Sequence, residues 1–367
     1  MSHRRATLDT LARELGVSRM TVSNAYNRPD QLSPALRERV LETARRIGYP
    51  GPNPVASTLR RGRSGTLGVA FDDALSYAFT DPAAILFMQG IASECEAAGV
   101  GLLLVPGSPR RSGALEVMRH ALADSFAVFC DYEGDERLEV VRERGLRCVL
   151  IDSPPVAGIP AVGIDDRGGA WRAARHLIDL GHRRFGVVSF SVGPDSQQGR
   201  LSPDWEQRPG YFVTRERLAG YRAALTGAGI AWEGVTVYQQ AGIDAAAGGS
   251  AVDGGYQLAT WLLDQAQRPT AILAMSDELA RGVLRASLER GIQVPADLSV
   301  VGFDDTPGAL RDQPPLTTVY QPHADKGAMA ARLLLAPELD DNAHIQLPTR
   351  LVVRASSGPV NVGGTAC

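Results

Sequence analysis

The sequence predicts an all-α helix-turn-helix headpiece followed by an α/β core of two doubly wound parallel-sheet lobes. Three observations lead to this prediction. Residues 1–50 contain three short amphipathic patterns with helix start and stop signals. From residue 66 onward, short apolar runs alternate with helical patterns, as is typical of parallel sheets covered on both faces. At 367 residues, the chain is also too long for one ordinary domain.

The headpiece begins with the helix LDTLAREL, which Thr7 can cap and whose apolar residues recur at helical spacing. Gly16 permits a tight turn, and Ser18 can cap the second helix, RMTVSNAYN. The third helix starts at Ser33 and Pro34, because proline at the first helical position loses no N–H that the helix needs. Two short helices joined by such a turn and supported by a third form the helix-turn-helix pattern.

The segment PGPNPVASTLRRGRSG, residues 50–65, separates the headpiece from the core. Its prolines exclude regular structure at the start, and its glycines loosen the end. Between them, VASTLRR is long enough for barely two helical turns, which is too short to be stable alone. We therefore expect this segment to fold only when something else stabilises it.

The core shows eight apolar runs of strand length and five amphipathic helical patterns. The predicted strands are TLGVAF, VGLLLVP, FAVFCDY, RCVLIDS, RFGVVSF, VTVYQQ, AILAMSD and LSVVGFDD. The predicted helices are PAAILFMQGIASECEAAG, GAWRAARHLIDLGH, RERLAGYRAALTGAG, GYQLATWLLDQA and DELARGVLRASLERG. Ligands of such folds bind beyond the carboxyl ends of the strands. Several of those ends are polar here: Asp72, Asp73, Asp152, Ser276, Asp277, Asp304 and Asp305.

The formal net charge of −3 hides an asymmetry. Residues 1–63 contain twelve arginines and five acidic residues, a balance of +7, which leaves −10 for the rest of the chain. A cationic head on an anionic body is expected when one segment meets a polyanion, although a solvated basic tail is the alternative.

Several classes of protein are disfavoured. No apolar run is long enough for a membrane span, and no apolar stretch follows the basic N-terminus, so we expect a cytoplasmic protein without a membrane partner. Four scattered cysteines support neither a disulfide framework nor a metal site: Cys95, Cys130, Cys148 and Cys367. The nucleotide-binding and hydrolase motifs G-x-G-x-x-G after the first strand, G-x-x-x-x-G-K-[ST] and G-x-S-x-G are missing. We therefore predict no catalytic residue, no cofactor and no enzyme.

Two sets of motifs resemble the lactose-repressor and purine-repressor (LacI/GalR) family of bacterial transcription regulators. The first is the headpiece through TLRRGRSGTLGV, and the second contains HLIDLGHRRFGVVS, RERLAGYRAAL, MSDELARGVLRASLERGIQVPADLSVVGFDDTP and PPLTTVYQP. The resemblance implies a sequence-specific DNA-binding regulator, expected to be a repressor. Its core would be similar to a periplasmic sugar-binding protein, with a small-molecule effector between the lobes.

The resemblance also implies three crossings between lobes, near Ile164, Asp305 and Gln321, so that LTTVYQP would be the last strand of the N-terminal lobe. The expected domains are residues 1–50 for the helix-turn-helix, 51–65 for the hinge, 66–164 with 306–321 for the N-terminal lobe, 165–305 with 322–360 for the C-terminal lobe, and 361–367 for a tail.

The second helix is expected to enter the major groove. By resemblance, Arg19, Met20 and Asn24 fall where the family reads bases, and arginine and asparagine can bond guanine and adenine in a bidentate manner. The alternative for Arg19 is a phosphate contact. The other residues expected on this DNA surface are Ser18, Thr21, Ser23 and Asn27.

Hinge helices from two subunits enter the minor groove in this family, and the residue matching its leucine wedge is Leu59, with Ala56 small enough for close approach. Packing within the linker is the alternative for Leu59. Since one headpiece offers few contacts, we expect a homodimer on a palindromic operator. The C-terminal end lacks leucine heptads, so no tetramer-forming coil is expected.

For the effector, Arg217 and Asp277 match the family's pocket arginine and aspartate. A forked donor with a carboxylate suits a polyol or a purine, and we favour a sugar. Arg217 could instead be a surface cation, and Asp277 a helix cap. Asp152, Phe71 and Tyr77 are further candidates by their position at strand ends. The long segment 191–214 could cover the cleft, and Trp205, Tyr211 or Tyr256 could stack on the ligand.

The sequence disfavours two rival functions. An enzyme is disfavoured because the motifs above are missing, and His182 in LGHRRFG is explained by its position at a helix end. A free-standing sugar-binding protein would have a signal peptide and no basic head.

Overall fold

A computed structural model describes residues 6–52, 62–71, 74–107, 113–129, 135–193, 196–207, 210–241 and 250–361. It divides into two compact units, residues 1–65 and 66–367. Ala56 and Leu59, predicted for the hinge, lie outside the described residues.

The headpiece consists of the helices α1 (Leu8–Leu15), α2 (Arg19–Asn27) and α3 (Pro34–Ile47). Their caps are those predicted: the side chains of Thr7, Ser18 and Ser33 accept from the backbone N–H three residues later, at 3.0 to 3.3 Å. Gly16 ends α1 with φ 69°, a conformation that favours glycine.

One apolar cluster holds the three helices together. Its buried members are Leu11, Ala12, Val22, Ala25, Val40 and Ala44. Leu15 and Val17 pack against it. Because α2 buries only Val22 and Ala25, the polar side chains around the rest of its surface take no part in the core.

The core contains two sheets, as predicted. Within the described residues, the first has six parallel strands in the order β12-β5-β4-β3-β1-β2. They are β1 (Thr66–Phe71), β2 (Gly101–Pro106), β3 (Ser125–Phe129), β4 (Arg147–Ile151), β5 (Ala161–Ile164) and β12 (His344–Leu347). Its helices are α4 (Pro82–Ala98), α5 (Ala114–His120), α6 (Glu136–Glu143) and α11 (His323–Leu335). Leu67 and Val69 belong to one apolar cluster and Ala70 to another, because alternate residues of a strand face opposite sides.

The second sheet has seven described strands in the order β13-β11-β10-β9-β6-β8-β7. They are β6 (Phe185–Ser189), β7 (Gly199–Arg200), β8 (Thr236–Gln239), β9 (Ala271–Ala274), β10 (Ser299–Asp304), β11 (Thr317–Tyr320) and β13 (Arg350–Val352). The edge strands β7 and β13 are antiparallel to their neighbours, and the others are parallel. The helices α7 (Asp166–Asp179), α8 (Phe212–Gly227), α9 (Ala251–Leu263) and α10 (Asp277–Glu289) complete this lobe.

The predicted lobe boundaries near the C-terminus are wrong. Residues 306–321 were expected in the N-terminal lobe, but β11 pairs with β10, with Val301 opposite Thr317. Residues 322–360 were expected in the C-terminal lobe, but β12 pairs with β5, with His344 opposite Ala161. The chain crosses after Ile164, at Gln321 and between Leu347 and Arg350, but not near Asp305.

Helix α11 packs closely on α4 within the N-terminal lobe. A Cβ on Gly90 would lie 1.9 Å from the carbonyl oxygen of Ala324, and one on Gly327 would lie 2.1 Å from that of Phe87. Glycine is therefore required on both helices at their closest approach. This contact fixes α11, and with it the second crossing, to the N-terminal lobe.

No helix in the described ranges is long and apolar enough to cross a membrane. Cys95 and Cys148 are buried free thiols, and burial raises the pKa of Cys148 to about 12. The other two cysteines lie outside the described residues.

Candidate functional site

The helix α2 presents a polar face to solvent. Met20, Ser23, Asn24 and Asn27 follow one another at helical spacing, so that they share one side of the helix. Met20 is 72% exposed, which is unusual for a large apolar side chain. The structure thus brings together, on the surface of α2, the residues that the sequence predicted for contact with bases and phosphates.

Arg19 and Asn24 each make one weak side-chain interaction within the headpiece. Arg19 is 72% exposed and its Nε lies 2.8 Å from Asp9 Oδ1, while Asn24 Nδ2 donates to Gln31 Oε1 at 3.2 Å. Exposed ion pairs contribute about 0–1 kcal/mol. Exchange of these partners for nucleic-acid groups therefore costs little, and both side chains are available in the free protein.

Two more residues of this surface stabilise the helix itself. Ser18 caps α2 and its Oγ lies 2.8 Å from Thr21 Oγ1, while Asn27 Nδ2 donates to the backbone oxygen of Ser23 at 3.0 Å. Ser18 and Thr21 lie at the N-terminal end of α2, where backbone N–H groups attract phosphate, whereas Asn27 is the last residue of the helix.

In the core, Arg217 on α8 is 4% exposed. Its Nε donates to Asp166 Oδ1 at 2.8 Å, its Nη1 donates to the carbonyl oxygen of Met275, and its guanidinium lies 3.6 Å from the centre of the Phe303 ring. Arg217 is therefore not the surface cation that the sequence left open. It is a buried, fixed donor beside two strand ends.

Asp304 at the end of β10 completes this cluster. Its Oδ1 lies 4.0 Å from Arg217 Nη1 and 3.7 Å from His323 Nε2, and it accepts from Gln321 Nε2 at 2.6 Å. Burial raises the pKa of Asp304 well above its usual value and lowers the pKa of His323 well below its own. Asp304 has a φ of 115°, a rare backbone conformation for a residue other than glycine.

Asp152, predicted from its position after β4, is 9% exposed and also has a positive φ, of 50°. Its Oδ2 accepts from Lys326, whereas its Oδ1 has no hydrogen-bond partner among the described residues. Asp166 Oδ2 likewise has none. Burial raises the pKa of Asp166 to about 6, although Arg217 opposes the shift.

Asp277 is the first residue of α10. It is fully buried, and it accepts from Thr306 N at 2.7 Å, Thr306 Oγ1 at 3.1 Å and Thr318 Oγ1 at 2.5 Å. The helix cap is Ser276, which accepts from Leu279 N at 3.1 Å. Through these hydrogen bonds, Asp277 connects the loop after β10 to strand β11.

Substitution of Asp277 should change the pH dependence of stability. Burial raises its pKa to about 7, above that of an aspartate in the unfolded chain. Between these two pKa values the folded protein binds the extra proton, so the contribution of Asp277 to the free energy of unfolding rises as the pH falls from 8 towards 5. We expect Asp277→Asn to flatten this slope in urea unfolding measured across that range.

The control for this experiment is Asp264→Asn. The hydrogen bond from Arg290 lowers the pKa of Asp264, so this exposed carboxyl titrates below the range and its removal should leave the slope unchanged. A wild-type slope in Asp277→Asn would contradict the prediction.

Four of the other predicted ligand contacts have neighbours elsewhere in the described part of the core. Phe71 is 1% exposed in the apolar core, with its ring centre 5.3 Å from that of Phe129, and Tyr77 bonds Asp81. Trp205 is buried beside Arg215, and Tyr256 donates to Glu289 at 2.5 Å. In segment 191–214, strand β7 extends the edge of the second sheet along β8.

His182 is buried and hydrogen-bonded through both ring nitrogens. It is 2% exposed, and its ring nitrogens lie 3.0 Å from Thr270 Oγ1, Ser299 Oγ and the carbonyl oxygen of Gly358. Burial lowers its pKa.

Comparison with known proteins identifies the family. The model of bacterial regulatory proteins, lacI family, matches residues 7–53, and that of the periplasmic binding protein-like domain matches residues 174–357. An HTH-type transcriptional regulator of Mycobacterium tuberculosis is 41% identical over 361 residues, which cover 97% of this chain and 98% of the relative. The chain belongs to the LacI family. It is a DNA-binding transcriptional regulator with an effector-binding domain, and the predicted family and fold class are confirmed.

Two solved structures are informative for this LacI-family regulator. The lac repressor dimer bound to operator and the anti-inducer ONPF is 25% identical, with a TM-score of 0.75 over 97% of this chain and 100% of that one. The complex of the regulator CelR with cellobiose is 28% identical, with a TM-score of 0.66 over 96% and 100% of the two chains.

Proposed function

We propose that this regulator is a repressor that binds a palindromic operator as a homodimer and is controlled by a sugar or related polyol between its lobes. The observation that carries the effector assignment is a pair of buried carboxylate oxygens, Asp152 Oδ1 and Asp166 Oδ2, without a hydrogen-bond partner among the described residues. A buried acceptor without a donor costs about 1–3 kcal/mol. Hydroxyl groups of a polyol are donors that would remove this cost.

The balance of charge around these oxygens favours a neutral ligand. Three buried carboxylates, Asp152, Asp166 and Asp304, face two cations, Arg217 and Lys326. Burial raises the pKa of Asp166 and of Asp304, so this site already disfavours negative charge, and a phosphorylated or carboxylated sugar would add to that cost. The ring of Phe303 is already covered by Arg217, which disfavours a purine stacked at that position.

For DNA, we assign Arg19 and Asn24 to contacts with base edges and Met20 to contact with a thymine methyl group. Ser18, Thr21, Ser23 and Asn27 would contact phosphates and so fix the orientation of α2. None of these side chains is buried in the self-contained apolar core of the headpiece, which supports this assignment. The dimer bound to operator in the related lac repressor supports the assembly.

The test is selection of binding sites from random duplexes, followed by titration of the best duplex with a panel of neutral sugars that includes ribose and cellobiose. We expect a palindromic site, an affinity that falls steeply with salt, and release or tightening by one neutral sugar. Equal affinity for selected and scrambled duplexes would contradict sequence-specific binding. A response only to phosphorylated sugars would contradict the effector class.

A separate prediction concerns the hinge, residues 51–65. We expect Leu59→Ala to weaken binding to the selected palindrome far more than binding to a scrambled duplex. The free energy of unstacking base pairs around a leucine wedge is offset only where the DNA can bend and make further contacts. Fluorescence anisotropy with both duplexes measures the two affinities. Val55→Ala in the same segment is the control for lost apolar volume, and equal losses on both duplexes would count against a wedge.

A further inference from the structure

The chain contains a single lysine, Lys326, and its side chain is 1% exposed. It lies on α11, and its ammonium donates to Asp152 Oδ2 and, at 2.8 Å, to Gln321 Oε1. Burial of a charge costs several kcal/mol unless it is paired with good geometry. A solvent-facing role is thus excluded, and the partners of Lys326 determine what it does.

These partners form a continuous path between the lobes. Gln321, at the second crossing, accepts from Lys326 and donates to Asp304 Oδ1 at 2.6 Å. Asp304 faces Arg217 at 4.0 Å, and Arg217 donates to Asp166 at 2.8 Å. We call this set, Asp152, Lys326, Gln321, Asp304, Arg217 and Asp166, the interlobe chain. It begins after β4 of the first sheet and ends at α7, beside the second.

Each end of the interlobe chain keeps one unused acceptor. At one end Lys326 occupies Asp152 Oδ2 and leaves Oδ1, and at the other Arg217 occupies Asp166 Oδ1 and leaves Oδ2. Asp152 Oδ1 lies beside Gly163 of β5, where a Cβ would be 3.4 Å from it. Asp152 Oδ2 and Asp166 Oδ1 therefore hold the interlobe chain together. The second oxygen of each carboxylate keeps its capacity to accept a hydrogen bond from a ligand.

We propose that Lys326 is a positioning residue for the effector: it orients Asp152 towards the ligand and, through Gln321, makes that orientation depend on Asp304 of the other lobe. The ligand part of this inference rests on the proposed function. The coupling part does not, because it concerns bonds within the protein. Loss of the Asp304 carboxylate should free the Gln321 side chain, remove one acceptor from Lys326 and open the lysine to solvent.

Since Lys326 is the only lysine, its accessibility can be measured without ambiguity. Wild-type protein and variants are treated with an acetylating N-hydroxysuccinimide ester, and modification of Lys326 is followed by peptide mass spectrometry, with the N-terminal amine as internal reference. We expect Asp304→Ala to raise the rate at Lys326 at least about tenfold, as for a local opening. Asp304→Asn keeps an acceptor for Gln321 and should stay within about threefold of the wild type.

The matched control is Asp305→Ala. Asp305 is the next residue, also has a positive φ, of 55°, and is also ion-paired, to Arg354 at 2.6 Å, but it is outside the interlobe chain. Urea unfolding of each variant identifies conditions in which all are equally folded. If Asp304→Ala does not fold, Gln321→Met replaces it, because methionine keeps the side-chain volume and removes both hydrogen bonds of the Gln321 amide group.

An unchanged rate in Asp304→Ala, or an equal rise in Asp305→Ala, would overturn the proposed coupling. A selective rise in Asp304→Ala supports it. Because neither DNA nor sugar is present, the outcome is independent of whether the operator and effector assignments hold.

Discussion

Arg217→Ala is expected to lower the free energy of unfolding by about 3–5 kcal/mol, since it removes one partner of a buried ion pair. Asp166 would be left buried without its donor, and the carbonyl oxygen of Met275 would lose its own. Urea unfolding measures the loss. Arg290→Ala is the control: that arginine pairs with the exposed Asp264, so its removal should lower the free energy of unfolding far less.

The double variant Arg217→Met with Asp166→Asn removes both charges and should recover most of the stability. It separates folding from function, because we expect it to bind the selected duplex as the wild type does and to be insensitive to the effector. A normal effector response in this variant would remove Arg217 and Asp166 from the proposed site. Loss of DNA binding would assign the pair to the maintenance of the fold.

Arg19→Ala is expected to cost about 1–3 kcal/mol of discrimination at one base pair of the operator, since a bidentate contact to guanine would be lost. Affinities for the selected duplex and its single-base variants measure this effect. The phosphate alternative predicts a uniform loss across all duplexes, with a salt slope lower by about 1. The two assignments of Arg19 thus give different patterns.

Arg45→Ala is the matched control for Arg19. Arg45 on α3 is also 72% exposed and also ion-paired, to Glu38 at 3.1 Å. Its removal changes the charge by the same amount, so any loss of base discrimination in Arg19→Ala but not in Arg45→Ala belongs to the position of Arg19 on α2.

The headpiece could be predicted closely because its signals are local. Capping residues, a glycine in the turn and a proline at a helix start act within a few residues of one another, and Thr7, Gly16, Ser18 and Pro34 all have the predicted roles. The eight strands predicted from composition and spacing are also present in the core, since each is a short apolar run.

The pairing of strands could not be predicted in the same way. The edge strands β12 and β13 are short and half exposed, so their sequences lack the continuous apolar run of a central strand. Which sheet a strand joins depends on contacts with distant residues, as for His344 beside Ala161. This is why residues 322–360 were predicted for a single lobe, whereas residues 306–321 were misplaced because the resemblance implied a crossing near Asp305.

The buried charges of the cleft were only partly predictable. Arg217 and Asp152 were named from resemblance and from position at a strand end, whereas Lys326 was missed. Lysine is almost never fully buried unless paired, so a helix such as HADKGAMAARLLL suggests a solvent-facing lysine. The signal for its burial is the distant carboxylate of Asp152, which the local sequence does not contain.

The late crossings also affect how the protein is made. The N-terminal lobe takes its helix α11 and its outer strand β12 from residues 323–347, after most of the C-terminal lobe has been translated. A nascent chain on the ribosome therefore cannot complete its first lobe before nearly all of its second has emerged. For the same reason, a premature stop codon before Leu347 would damage both lobes.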